Sequence, residues 1–199
     1  MRNSLVVGLA EVKWSVLPED VLVAFSLGSC VGVALWDPVL KAGAMAHVML
    51  PSSSRGRKPA ENGVDACRIS RFEKPGKYAD TAVEYAVRCL TAIGAEPSRM
   101  VVWMAGGAHV IPGFTLPTGD IGAANIRAVS EALKRLGLPE PRQDVGGDYG
   151  RTMRLYVGEG RATVYSVSRG EKEVSMGNRQ CGKGEKGCRR CWLSTMPCS

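Results

Sequence analysis

No run of apolar residues in this chain approaches the roughly 18 to 20 needed to span a bilayer. The opening stretch Met1-Arg2-Asn3-Ser4-Leu5-Val6-Val7 has too little apolar length for a signal peptide. Membrane insertion is therefore not expected, and a cytoplasmic protein is. Aromatic residues are scarce, with three Phe, four Trp and five Tyr in 199 residues. The basic patch Arg55-Gly56-Arg57-Lys58 has no interleaved aromatics, and no known nucleic-acid module is visible. The net charge of +7 is accordingly read as solvated loop and tail charge, with no nucleic-acid partner. Part of that charge is local: Arg179, Lys183, Lys186, Arg189 and Arg190 stand against Glu185 near the C-terminus. The glycine-rich Gly146-Gly147-Asp148-Tyr149-Gly150 lacks the Lys-Ser/Thr of a phosphate loop, and no helical pattern follows it. The seven cysteines are odd in number and no export signal accompanies them, which argues against a secreted disulfide framework.

Histidine occurs only twice, at His47 and His109. The first follows a cysteine in an informative setting. Phe25-Ser26-Leu27-Gly28-Ser29-Cys30-Val31-Gly32-Val33 delivers a thiol at a small-residue turn between two apolar runs. His47 lies in the next strand-like run, Ala44-Met45-Ala46-His47-Val48-Met49-Leu50-Pro51. A thiol and an imidazole suffice for nucleophilic attack on an amide or ester, the imidazole holding the thiol as thiolate near neutral pH. Spacing alone leaves the alternative open that Cys30 is a small buried hydrophobe and His47 a hydrogen-bonded core residue. His109 reads as a surface-loop residue, Gly106 and Gly107 as a tight backbone path, and Asp120 and Asn125 as residues at a helix start. Arg151 is open between substrate contact and a structural ion pair.

The chain is of a length for one domain, with 45% hydrophobic and 23% charged residues. Ser4 to Lys13 reads as a first strand and Val21 to Leu27 as a second, ending at the Gly28-Ser29 turn. Val31 to Trp36 and Ala44 to Leu50 form a hairpin, which would set Cys30 and His47 on neighbouring strands about 4.8 Å apart. Residues 52 to 77 are a long Ser-, Gly-, Pro- and charge-rich loop, read as substrate contact or plain disorder. Ala79, Ala82, Val83, Ala86, Cys89, Leu90 and Ile93 recur at helical spacing, stopped by Gly94. Met100 to Met104 is a buried-type strand. Ile126, Val129, Leu133 and Leu136 mark a second helix ending at Gly137. Met153 to Val157 and Ala162 to Val167 read as a closing hairpin. Strand runs outnumber helices and hairpin turns outnumber crossovers, so an α+β domain with mostly antiparallel sheet is expected.

Several segments, in order, resemble the CheD family of chemoreceptor glutamine deamidases. They are Leu27-Gly28-Ser29-Cys30, Trp36-Asp37-Pro38, Gly43 to Pro51, Lys77-Tyr78-Ala79-Asp80, Gly106-Gly107-Ala108, Ile121-Gly122-Ala123-Ala124-Asn125 and Asp144 to Arg151. The resemblance implies a layered α/β/β sandwich like the catalytic domains of certain deamidating bacterial toxins. It implies Cys30 as nucleophile and His47 as its base and acid, with no metal or organic cofactor. It implies methyl-accepting chemotaxis receptors as substrates and a CheC-type phosphatase as a regulatory partner. The family usually has a threonine six residues before the nucleophile. Here that position is Ala24, and Ser26, of the same parity on an extended segment, is the candidate third catalytic residue. A backbone carbonyl or an ordered water are the other groups that would orient His47.

The deamidase-like domain is expected over residues 1–168, with 169–199 a basic, cysteine-containing tail that is poorly ordered. Cys181, Cys188, Cys191 and Cys198 in that tail are spaced C-x6-C-x2-C-x6-C, a set of thiols that can hold zinc. No standard finger has that outer spacing, and metal binding is not the reading taken. The function expected is deamidation of receptor glutamines through a Cys-linked thioester. The alternative, raised by Ala24, is a non-catalytic adaptor that binds receptors or the phosphatase.

Overall fold

The computed structural model describes residues 1–53, 74–109 and 120–174. Ten strands and two helices occur in the order β1 (Asn3–Val6), β2 (Val12–Ser15), β3 (Asp20–Leu27), β4 (Val31–Asp37), β5 (Ala42–Val48), α1 (Ala79–Thr91), β6 (Val101–Gly106), α2 (Ile121–Arg135), β7 (Arg142–Val145), β8 (Arg151–Tyr156), β9 (Arg161–Ser166) and β10 (Gly170–Glu173). The strands form two sheets of five, ordered β1-β3-β8-β9-β10 and β2-β5-β4-β6-β7. Only β1–β3 and β6–β7 pair in parallel; the other pairings are antiparallel.

Residue alternation on the central strands explains the layers. In β4, Val31, Val33 and Leu35 join a core built with the apolar stripes of α1 and α2. Ala34 faces the other way, into a second core with Leu22, Leu27, Met153 and Leu155 of the facing sheet. A strand buried on both faces reads as a continuous apolar run, and β5 is buried at every position. Helices, one sheet and the other sheet thus stack as three layers. This is the α+β, layered α/β/β, mostly antiparallel arrangement expected from the sequence.

Small residues make these layers close. Cβ atoms on Gly32 or Gly43 would lie 2.8 Å from Leu27 and Leu155 carbons respectively, inside contact distance. Asp37 closes the β4–β5 hairpin: its carboxylate accepts from the N–H groups of Val39 and Leu40 and from Arg99 Nε at 2.8 Å. Asp120 caps α2 by accepting from the N–H of Gly122 and Ala123, which is the capping role expected of it.

Three sequence expectations need correction. Ser4 to Lys13 is not one strand: β1 belongs to one sheet and β2 to the other, because the chain crosses between them over Val7 to Glu11. Ala10 turns there with φ 63°, and Gly76 N–H holds its carbonyl at 3.0 Å. The edge strand β7 is not among the strands expected from the sequence. Another edge strand, β10, lies beyond residue 168 and carries the folded unit to Val174, which is buried with its carbonyl accepting from Trp103 Nε1. The domain therefore reaches at least Val174. Most of the 52–77 loop, Cys67 and the four tail cysteines lie outside the described residues. No described helix is long and apolar enough to cross a membrane.

Candidate active site

Cys30 sits where the chain leaves one sheet for the other, between β3 and β4. Hydrogen bonds fix the path of this turn on every carbonyl. Ala108 N–H donates to Gly28 O at 2.7 Å, Asn125 Nδ2 to Ser29 O at 2.9 Å, and Gly107 N–H to Cys30 O at 2.8 Å. Gly106 and Gly107 do provide the tight path read from the sequence. Both have positive φ, and a Cβ on Gly106 would collide with the Cys30 carbonyl oxygen.

Register brings the base to the thiol. His47 on β5 stands opposite Gly32 on β4, and Val31 opposite Val48. Parity sets His47 on the face toward the other sheet, like Met45 two residues earlier. Cys30 packs against that same inter-sheet core. Cys30 thus directly precedes the first paired residue of β4, Val31, whose neighbour Gly32 stands opposite His47.

The imidazole is 4% exposed. Its Nδ1 lies 3.4 Å from the Val7 carbonyl oxygen. A carbonyl only accepts, so this contact requires the proton on Nδ1 and leaves a lone pair on Nε2. Nε2 is buried without a hydrogen-bond partner. The His47 N–H donates to Glu11 O at 2.9 Å. Both Val7 and Glu11 belong to the crossing segment between β1 and β2, so the break that the sequence concealed supplies the groups that hold the base. Val7 N–H in turn donates to Val23 O, setting that carbonyl alongside Ala24.

Burial pushes the Cys30 thiol up from its ordinary value. Burial likewise pushes His47 down, opposed by the Val7 carbonyl and the Glu11 carboxylate. Both shifts favour the uncharged forms. Both shifts run against the thiolate–imidazolium form that the sequence reading allowed.

Ser26 does not join them. Between Ala24 and Leu27 the β3–β8 register shifts: three steps on β3 answer two on β8. The extra residue is a bulge with Ser26 in the left-handed region at φ 56°. Parity inverts across it, so Leu22, Ala24 and then Leu27 face the inter-sheet core while Phe25 and Ser26 are exposed.

His109 stands apart, with Nδ1 3.7 Å from Asp120 Oδ2. Arg151 is a structural ion pair, its guanidinium 1% exposed and 3.0 Å from Asp144 Oδ1. Lys172 Nζ reaches the other carboxylate oxygen at 2.8 Å. With Tyr149 and Arg169 these residues line an open cavity of about 460 Å³ whose cations outnumber its acids. No cluster of metal-ligating side chains occurs among the described residues. Asn125, read from the sequence only as a residue at the helix start, lies a full turn inside α2 and is wholly buried against the nucleophile turn.

The family model described as CheD chemotactic sensory transduction matches residues 49–166. A probable chemoreceptor glutamine deamidase CheD of Symbiobacterium thermophilum is 47% identical over 174 residues, 87% of this chain and 98% of the relative. An alignment of that length spans Cys30 and His47 whichever end it trims. The chemoreceptor glutamine deamidase CheD of Halalkalibacterium halodurans is 36% identical over 178 residues, covering 87% of this chain and all of the relative. A probable CheD of Archaeoglobus fulgidus is 37% identical over 85% of this chain and 97% of the relative. Among solved structures, the crystal structure of Bacillus licheniformis hypothetical protein YfiH matches with a TM-score of 0.39 and 12% identity, over 69% of this chain and 50% of that one.

Proposed function

This chain belongs to the CheD family, and from that premise and the geometry of the sandwich end we propose that it deamidates glutamine side chains of chemoreceptors through Cys30 and His47. It is a protein-glutamine glutaminase, an amidohydrolase, as its relatives are named. The observation that carries the mechanistic reading is His47 Nε2. A buried ring nitrogen with no partner, on the face it shares with a partly exposed thiol, is a base waiting for a proton.

As Cys30 Sγ attacks the glutamine Cδ, its proton passes to His47 Nε2. The carbonyl oxygen becomes an oxyanion that backbone N–H groups of the Gly28-Ser29-Cys30 turn stabilise. The C–N bond breaks as the imidazolium returns its proton to the departing ammonia, leaving a thioester. Water then gives a proton to Nε2 and attacks the acyl carbon. The C–S bond breaks, the thiol regains its proton, and glutamate remains. The Val7 carbonyl does the orienting that a threonine hydroxyl at position 24 would do. That supports catalysis over the adaptor reading, for which Ala24 was the motive.

Receptor helices are long, so recognition uses the open end of the sandwich, where the cation-rich cavity around Arg169 and Lys172 meets acidic side chains. A CheC-type phosphatase is the regulatory partner in this proposal, and the cytoplasm its compartment. The residues through Val174 form the catalytic unit. The test is ammonia release with peptide mass mapping on a cognate receptor cytoplasmic domain, comparing wild type with Cys30→Ala. Glutamine-to-glutamate conversion lost in the variant supports the proposal. Conversion that persists in Cys30→Ala, or folded wild type that binds receptor without converting it, overturns it.

A further inference from the structure

Asn125 is a buried polar side chain that touches both halves of the proposed site. Its Nδ2 donates to Ser29 O, in the nucleophile turn, and to Met49 O, just past the base strand, each at 2.9 Å. Its Oδ1 is buried without a partner. A buried acceptor left unpaired is costly, and an apolar residue would avoid that cost if packing were the only demand. The backbone around it is built for the approach. A Cβ on Gly122, one turn earlier on the same helix, would lie 2.5 Å from Gly107 O, and one on Gly107 would lie 2.5 Å from Ile126. Helix α2 is therefore pressed against the segment that holds the Cys30 carbonyl.

A trans peptide points its C=O and N–H in opposite directions. Ala108 pulls the Gly28 carbonyl toward the interior, and Asn125 pulls the Ser29 carbonyl there too. The N–H groups of those same two peptides, belonging to Ser29 and Cys30, must then point away from α2, toward the partly exposed side of the turn. Neither N–H is engaged in the hydrogen bonds that fix the turn. Two adjacent free donors beside a nucleophile are the equipment of an oxyanion hole.

We infer that Asn125 is a positioning residue that sets the oxyanion hole: by gripping Ser29 O it aims the Cys30 N–H at the oxygen of the tetrahedral intermediate. The inference rests on the proposed thiol chemistry, but its test does not need a receptor. Acylation of Cys30 by p-nitrophenyl acetate passes through an oxyanion, whereas alkylation by iodoacetamide is a direct displacement and forms none. Both rates are measured on wild type, Asn125→Ala and Asn125→Asp, with each adduct mapped to the Cys30 peptide by mass. The aspartate keeps the shape while presenting no donor to the two carbonyls.

The expected result is an acylation rate lower by roughly tenfold to a hundredfold, since loss of one such donor costs 10²–10³ where the leaving group is poor. Alkylation in the same preparations stays within about threefold of wild type, which a merely structural defect would not allow. Two results overturn the inference: unchanged acylation, or acylation and alkylation falling together, which would assign Asn125 to the thiol or the fold. Failure of receptor deamidation by wild type would refute the proposed function and leave these chemical rates readable.

Discussion

The charge state of the resting dyad can be read from Cys30 alkylation across pH in wild type and His47→Gln. Burial raises the thiol pKa and lowers that of the imidazole, so each shift disfavours the charged form. A thiol at its ordinary pKa of about 8.5 is about 3% thiolate at pH 7, and a raised one is less. The wild-type alkylation profile should therefore turn upward at or above the ordinary thiol range. Replacing His47 by a neutral residue should leave that midpoint within about half a unit. An ion pair predicts the opposite: a midpoint near or below 7 in wild type that climbs by two units or more, roughly 3 kcal/mol, once the imidazolium is gone.

On the proposed mechanism deamidation should behave differently from alkylation in the same variants, because His47 would act in the transition state and not on the ground-state thiol. Loss of a general base costs typically 10²–10⁴ in rate, so His47→Gln should be nearly inactive on receptor while its alkylation profile is unchanged. The acid limb has a definite sign. Burial disfavours the imidazolium, so the base stays unprotonated to lower pH than a free histidine would. The acid limb of kcat/KM should have its midpoint below the ordinary histidine value of about 6.5. A wild-type alkylation midpoint below about 7.5 that rises by more than a unit in His47→Gln would refute the neutral-pair reasoning.

Ser26→Ala should leave deamidation within about twofold of wild type, as surface substitutions usually do, since the bulge holds Ser26 in solvent; a loss of tenfold or more would restore it to the site. Gly106→Ala places a Cβ at φ 105° against the Cys30 carbonyl. It should cost at least about 2 kcal/mol, or roughly 4–8 °C in Tm, and thermal denaturation showing no shift would contradict the close approach. Arg151→Met leaves the largely shielded Asp144 carboxylate with Lys172 as its remaining cation and the Tyr149 hydroxyl as a neutral donor. A loss of about 3 kcal/mol is expected, and an unchanged urea midpoint would remove the ion pair from the structural account.

Period and composition made the central strands and both helices legible, because β4, β5, α1 and α2 are long and carry sustained apolar patterns; the layer order came from the family resemblance. Edge strands were another matter. The segments Arg142-Gln143-Asp144-Val145 and Gly170-Glu171-Lys172-Glu173 carry charge where a strand signal would be apolar, which suits an exposed edge and hides it from pattern. Cys30 and His47 were visible as residue types on neighbouring strands, but the register between those strands was not. Ser26 was misplaced by parity: counting in twos fails across one inserted residue, and Phe25-Ser26 gives no turn signal. The break at Val7 to Glu11 was concealed because its flanks belong to different sheets, which only tertiary pairing reveals. Asn125 lay one turn too deep to be a cap, and no local pattern distinguishes a capping asparagine from one that reaches across to Ser29 O.

The misread places converge on one end of the sandwich. A regular ladder would pair every backbone group with another backbone group; the crossing at Val7 instead turns a carbonyl to His47, and the turn after the bulge leaves the Ser29 and Cys30 N–H groups outside the ladder. An imidazole oriented by a carbonyl does not depend on the side chain at position 24, so Ala24 can be small without loss. Ala24→Thr tests that directly. Ala24 is wholly buried in the inter-sheet core, and two added heavy atoms there should overpack it by about 1–3 kcal/mol. If the Val7 carbonyl already orients His47, the new hydroxyl brings no rate: kcat stays level or falls while Tm drops by several degrees. A kcat that rises tenfold in Ala24→Thr would mean that the carbonyl at 3.4 Å is too weak an orienter and that this chain works below the capacity of its own dyad.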